Sequence, residues 1–301
     1  MRTAKGGFAR LRTERAHPGA RELDTLTPRA ILELMAREDD RVVRAVYGEA
    51  RALEAGAALV VRSLERGGRV FYLGAGTSGR LGVLEAAECP PTFGTRPSQI
   101  QALVAGGRRA VFRAVEGAED SGGAAERVLR ARKLTARDLV VGVSASSVTP
   151  FVRGGLAYAK KACAATMLVT CGRPGRASYD QVVSIAVGPE IIAGSTRLKA
   201  GTATKLALNA LTVLAMIRLG KVYGPFMVDV RPGSAKLRDR ARRMVAAVGR
   251  VSAARARSLL DETRGDVKVA IVCARLGVGP NAARRTLARS NGRLRSVLAE
   301  P

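Results

Sequence analysis

Five short apolar runs, Val70 to Leu73, Ile100 to Val104, Leu139 to Val143, Thr166 to Val169 and Val182 to Val187, most constrain how this chain folds. Each is strand-sized and nearly all apolar, so each strand hides both of its faces. Helix-length segments at 79–89, 108–116, 122–132 and 150–162 separate the runs. Strands buried on both sides and spaced by helices make a parallel sheet covered by helices, the doubly wound α/β arrangement with flanking helices.

Apolar spacing over 26–66 predicts two or three helices, the first opened by Thr27 as N-cap and Pro28 at the first helical position. An Ala- and Leu-rich helix is expected over 200–219. After a turn at Arg231, Pro232 and Gly233, helical patterns follow at 235–248, 252–263, 266–276 and 281–289. The expected organisation is a helical segment at 1–66 packing on the core, an α/β domain at 67–231 and a small all-helical domain at 232–301. A length of 301 residues suits about two compact bodies.

The run Leu206 to Ile217 contains Asn209 and is too short to cross about 30 Å of hydrocarbon, so it reads as a buried helix. The first 17 residues are basic with no apolar stretch behind them, which fails as a secretory signal and implies a cytoplasmic address. Cys89, Cys163, Cys171 and Cys273 form no C-x-x-C pair, and His17 is the single histidine. They read as reduced, buried side chains, with neither a disulfide framework nor a metal site. Acid–base chemistry therefore falls to carboxylates.

The chain carries 51 Lys or Arg against 25 Asp or Glu, a net charge of +26, and residues 231–301 hold 17 of the basic and 5 of the acidic residues. Such a surface attracts polyanions. With aromatics at 4% and no zinc-finger, RNP or basic-zipper pattern, only salt-sensitive, sequence-blind adhesion is expected, with no specific nucleic-acid partner and no membrane partner.

The first strand runs into Gly74-Ala-Gly76-Thr77-Ser78-Gly79-Arg80, where free amides at a helix N-terminus make an anion site. No acidic residue ends the second strand, and no Gly-Lys-Ser/Thr follows, so no nucleotide cofactor is expected. The third strand ends in a second hydroxyl cluster, Ser144, Ser146, Ser147 and Thr149. Two such loops at the carboxyl edge of one sheet point to a phosphate held by hydroxyls and amides. Glu85 and Glu88 lie on the helix expected to begin at Gly79 and to be ended by Pro90 and Pro91. That places Glu88 at a helix C-terminus, whose negative dipole end suits a protonated acid. Glu116, Glu119 and Asp120 form a second carboxylate cluster.

Longer blocks carry a resemblance: GRVFYLGAGTSGRLGVLEAAECPPTFGT (68–95), AVEGAEDS (114–121), VVGVSASSVTPFV (140–152), GPEIIAGSTRLKAGTATKLALNAL (188–211) and GKVYGPFMVDV (220–230). In order, and with TERAHP (13–18) and GDVKVAIV (265–272), they resemble the bacterial N-acetylmuramic acid 6-phosphate etherases, of sugar-isomerase-type phosphosugar-binding fold. The resemblance implies cleavage of a D-lactyl ether without metal or nucleotide, in a homodimer. It carries the proton donor onto Glu88, a second carboxylate onto Glu119, and phosphate contacts onto Ser78, Ser144, Ser146 and Thr149. Gly76, Thr77, Gly79, Ser147, Ser195, Thr196, Arg197 and Lys199 complete the expected substrate-binding set. The alternative it leaves is a phosphosugar-binding regulator that does not cleave, as in the related glucokinase regulatory protein. In one place the chain departs from the family pattern. Ser146-Ser147-Val148-Thr149-Pro150 stands where the family reads Ser-Gly-Arg-Thr-Pro, which removes a freely positive φ and a charge. The basic tail is a second departure.

Overall fold

The computed structural model describes residues 11–230 and 232–299. The leader reading at residues 1–10 and the expected turn residue Arg231 lie outside them. Five strands, β1 (Val70–Gly74), β2 (Ile100–Val104), β3 (Leu139–Val143), β4 (Ala165–Thr170) and β5 (Gln181–Ser184), form one wholly parallel sheet in the order β2-β1-β3-β4-β5. The helices are α1 (Pro28–Gly48), α2 (Ala50–Glu65), α3 (Gly76–Phe93), α4 (Arg109–Phe112), α5 (Gly122–Ala131), α6 (Pro150–Lys161) and α7 (Lys199–Arg218).

The strands are mostly apolar because successive side chains enter two covered layers, with polar residues such as Gln101, Gln181 and Ser184 on the outer strands β2 and β5. Phe71, Leu73, Val140 and Leu168 pack with Leu129 of α5 and Phe151 and Leu156 of α6. Tyr72 points the other way, onto α3 at Gly82, where a Cβ would come within 2.8 Å of Tyr72 Cβ. α2 covers the sheet at Gly56, against Met167 and Leu211.

Two compact units result: the chain up to Ala86 together with Ser98–Thr212, and Ala87–Pro97 together with the chain from Val213 on. Position 232, where the sequence places a boundary, lies within the second unit. That unit contains a hairpin, β6 (Val222–Tyr223) with β7 (Phe226–Met227), and helices α8 (Ala235–Gly249), α9 (Ala253–Glu262), α10 (Val267–Leu276), α11 (Pro280–Arg289) and α12 (Leu294–Leu298). Its core gathers Met244, Val245, Leu259, Ile271, Val272 and Leu287. Inside it Asp229 accepts from Lys221 Nζ at 2.6 Å and from Lys268 Nζ at 2.9 Å.

Several sequence expectations need correction. α3 begins at Gly76 and not Gly79, and it continues through Pro90 and Pro91 to Phe93. Proline removes the donors that the carbonyls of Ala86 and Ala87 need, yet Gly94 N–H still donates to Pro90 O at 3.0 Å and closes a last turn. Burial of Cys89 and Phe93 holds that turn in place. The helix expected at 108–116 is a single turn, α4, and the hairpin and α12 went unread. Cys163 is exposed, in the turn just past the end of α6, where it takes φ +56°. The other three cysteines are buried, and burial pushes the Cys171 thiol up to about 12. Thr27 caps α1 as expected, its Oγ1 accepting from Ala30 N at 3.3 Å. α7 is long and apolar enough to cross a membrane by length and composition, but it buries Ala203, Ala207, Leu208 and Leu211.

Two buried carboxylates tie elements together. Asp138, at the start of β3 and 1% exposed, accepts from Arg69 N at 2.8 Å, Arg69 Nη2 at 2.8 Å and Thr135 N at 2.8 Å. Glu38 of α1 accepts from Lys199 Nζ at 2.5 Å, from His17 Nε2 at 3.2 Å and from Arg41 Nη1 at 2.6 Å. Burial pushes both carboxyls up, but their cationic partners outweigh it and hold both below the ordinary carboxylate range.

Asp138→Asn is expected to lower stability at neutral pH by about 2–4 kcal/mol in urea unfolding. A lowered folded-state pKa gives stability that is complete above the unfolded value, about 3.9, and is lost as pH falls through the folded one. The gap between wild type and variant should therefore hold from about pH 7 to pH 5 and shrink below about pH 4. Glu38→Gln leaves the Lys199 ammonium buried without a countercharge and should cost about 3–5 kcal/mol. The double variant Glu38→Met, Lys199→Met should be less destabilised than that single change, and equal losses in thermal unfolding would contradict the paired-charge account.

Candidate active site

In this strand order the chain leaves β1 toward β2 on one side and reaches β3 on the other, so the loops after β1 and β3 diverge from a shared edge. Gly74 of β1 pairs in register with Val143 of β3. Ala75–Gly79 and Ser144–Thr149 therefore start side by side at the carboxyl end of the sheet, where open α/β sheets bind ligands.

The first loop is a single residue, Ala75. Gly79 N donates to Ala75 O at 3.2 Å as the first bond of α3, so the amides of Gly76, Thr77 and Ser78 precede the helical ladder. Glycine is required at two positions here: a Cβ on Gly74 would sit 2.7 Å from Gly79 N, and one on Gly79 would sit 2.8 Å from Gly74 O. The helix end is thus drawn onto the strand end. Gly76 is exposed and Thr77 and Ser78 are half-buried.

In the second loop Ser144 Oγ and Thr149 Oγ1 lie 2.8 Å apart, leaving one of the two protons for a ligand. Ser147 takes φ +65°, a conformation that costs a side-chain-bearing residue about 1–2 kcal/mol. Its hydroxyl donates to Arg173 O at 2.5 Å. The glycine-like turn is therefore kept despite the serine, and the Ser147 proton is committed to the backbone. Ser146 Oγ accepts a long bond from Val148 N at 3.4 Å, so its own proton remains for a ligand.

α7 brings the third segment. Its first turn is capped by Glu190, 1% exposed, which accepts from Lys199 N at 3.0 Å and Ala200 N at 2.9 Å. A Cβ on Gly201 would lie 3.6 Å from Thr77 Cγ2 and 3.5 Å from Thr196 O, so the starts of α3 and α7 adjoin. Ser195 and Thr196 are half-buried there and Arg197 is exposed. Lys199 is not presented to a ligand, since its ammonium is buried on Glu38.

Glu119 stands on a short 3-10 turn, Ala118–Asp120, and is exposed. It shares a cavity of about 170 Å³ with Gly76, Arg80 and Glu116. Arg80 is steadied by donating Nε–H to Val111 O at 2.9 Å. Glu88 is exposed, belongs to the second unit, and lies more than a turn from the end of α3, so the expected C-terminal dipole does not act on it. Glu85, one turn earlier, is buried, its carboxylate accepting from Asn209 Nδ2 at 2.6 Å and from Thr212 Oγ1. Among the described residues no three His, Cys, Asp or Glu side chains cluster as metal ligands.

Sequence reasoning had not singled out Glu190, Arg80 or Arg173. The signal for Glu190 was its place ten residues before the middle of α7's first turn, which only the returning loop reveals. Arg173 follows β4 with no local pattern to mark it.

Residues 53–160 match the profile of the glucokinase regulatory protein N-terminal SIS domain. Over 290 residues, 96% of this chain, it is 46% identical to the N-acetylmuramic acid 6-phosphate etherase of Geobacillus thermodenitrificans, covering 98% of that protein. It is 47% identical to that of Rubrobacter xylanophilus over 96% of each chain, and 47% identical to that of Deinococcus radiodurans over 96% of this chain and 95% of that one. With relatives so named matching nearly end to end, through the glycine loop, the hydroxyl loop and both glutamates' blocks, the chain belongs to the N-acetylmuramic acid 6-phosphate etherase family.

Proposed function

We propose that this chain cleaves the D-lactyl ether of N-acetylmuramate 6-phosphate, giving N-acetylglucosamine 6-phosphate and D-lactate, in the cytoplasm and as a homodimer. What carries the reading is coverage: relatives named for this activity align with 96% of the chain, across both compact units. A phosphosugar-binding regulator that does not cleave is the second reading, and its support is confined to the match over residues 53–160.

The chemistry asks for a held phosphate and two carboxylates that divide the acid and base roles. With the sugar ring open, its aldehyde makes the C2 proton acidic, and a base removes it. The C3–oxygen bond then breaks, its electron pair passing to the lactate oxygen, which takes a proton from an acid. Water adds across the resulting C2–C3 double bond, returning hydrogen to C2 and hydroxyl to C3. One water is consumed and no electrons leave the substrate, so carboxylates suffice. We assign the acid to Glu88 and its carboxylate partner to Glu119. The phosphate falls to the amides of Gly76, Thr77 and Ser78, the hydroxyls of Ser78, Ser144, Ser146 and Thr149, and the Ser195–Arg197 loop, with Gly79 and Ser147 shaping the two turns. Holding the phosphate fixes the far end of the sugar and converts the proton transfers into intramolecular steps.

Incubation with N-acetylmuramate 6-phosphate should release D-lactate, and Glu88→Gln should cut that release by about 10²–10⁴-fold while phosphosugar binding persists. A change of only about twofold would reject Glu88 as the acid. Prolonged treatment with a strong chelator should leave the rate unchanged; loss on chelation and return with a divalent metal would reject the carboxylate mechanism.

A further inference from the structure

The turn of α3 that carries Glu88 is poorly held by its own helix. Pro90 and Pro91 have no N–H, so the carbonyls of Ala86 and Ala87 lose their helical donors, and the turn closes on the Gly94 N–H, which donates to Pro90 O at 3.0 Å. Whatever fixes Gly94 therefore fixes the end of this turn. Gly94 takes φ +65°, the left-handed conformation that commonly ends helices, and a Cβ there would collide with the carbonyl oxygen of Asp229. Glycine is needed here twice over, for its dihedral and for its neighbour.

Asp229 is itself fixed. Val228 and Val230 on either side of it are buried in the core of the second unit. Its carboxylate accepts from Lys221 Nζ at 2.6 Å and from Lys268 Nζ at 2.9 Å. Lys221 stands just past α7, where its N–H donates to Met216 O at 2.9 Å and its carbonyl accepts from Val228 N at 3.2 Å. Lys268 lies in α10, is buried, and also donates to Gly292 O at 2.8 Å. Burial lowers the pKa of Lys268, and the charge of Asp229 acts against that. Side chains from two distant parts of the chain thus converge on one aspartate, and the backbone of that aspartate is the wall that Gly94 meets. Glu88, Gly94, Asp229 and both lysines all belong to the second unit.

We infer that Asp229, held by Lys221 and Lys268, is a positioning residue for Glu88: its backbone, set against Gly94, stops the last turn of α3 and fixes where the acid stands. This deepens the etherase reading and rests on it, with Glu88 as the acid. It gives the second unit a part in the reaction. An exposed carboxyl on a turn with two open carbonyls would otherwise sample several positions, and a displacement of about 1 Å can cost about 10²-fold in rate.

The test uses the full chain, with D-lactate release from N-acetylmuramate 6-phosphate and amide hydrogen exchange over residues 87–97 measured together. Gly94→Ala should lower kcat about 10- to 100-fold with KM within about twofold, and speed exchange over 87–97 about tenfold while α9 and α10 exchange as in the wild type. Lys221→Met loosens Asp229 but leaves the glycine in place. It should act in the same direction with a kcat loss of about three- to tenfold, and it carries the test should Gly94→Ala fail to fold. In a Glu88→Gln background neither change should cost more than about twofold further, because misplacing the acid matters only while the acid is there. Loss by the same factor in both backgrounds is what a merely structural role predicts, and it overturns the inference, as does unaltered exchange over 87–97 in both variants. Asp239→Asn, which removes an exposed partner of Arg242 and Arg243 in the same unit, should leave rate and exchange unchanged; an equal loss there would also overturn it. A wild-type chain that releases no D-lactate, with exchange over 87–97 raised in the variants, would sink the etherase reading while the hold of Asp229 on the turn still stood.

Discussion

β1 is hydrogen-bonded on both edges, to β2 and β3, and covered on both faces. A parallel strand in that position can leave the sheet only at its carboxyl end, and the chain must there turn at once into a covering helix. Gly74 and Gly79 allow it by letting the strand end and helix end meet backbone to backbone. The free amides of α3, the neighbouring hydroxyl loop after β3 and the start of α7 all take their places from that turn. The free amides and hydroxyls of that edge follow from packing, before any ligand is considered.

Buried charge organises the rest of the first unit. Glu38 receives Lys199, His17 and Arg41, while Glu190 receives the first amides of α7. Together they join the N-terminal strap, α1 and α7 with groups that cannot separate without leaving a charge unpaired in the interior. Lys199 therefore acts in the architecture of the site. The lysine side chain is committed inward.

The second unit has its own core and its own buried ion pairs at Asp229, yet its surface holds the most one-sided charge of the chain. Many of its arginines lie exposed to water on helices, as at Arg238, Arg242, Arg255 and Arg257. A basic surface of this kind follows from composition and makes no demand on the fold.

Much of the architecture was legible in the chain. Runs apolar at nearly every position point to parallel strands covered on both faces, and Thr27-Pro28 to a helix start, because each rests on local chemistry that survives folding. The glycine loop and hydroxyl loop were legible for the same reason. Other features were set by contacts distant in sequence. α3 ran through Pro90 and Pro91 because burial of Cys89 and Phe93 outweighed the lost backbone bonds. Lys199 was withdrawn from the site by a glutamate 161 residues away, and Ser147 was held at positive φ by a carbonyl 26 residues on. Sequence by itself determined the layers and where their glycine and hydroxyl turns fall, since periodicity and turn chemistry act over a few residues. Tertiary structure alone decided which charges face the edge and which are spent inside, because pairing a charge depends on what returns to meet it.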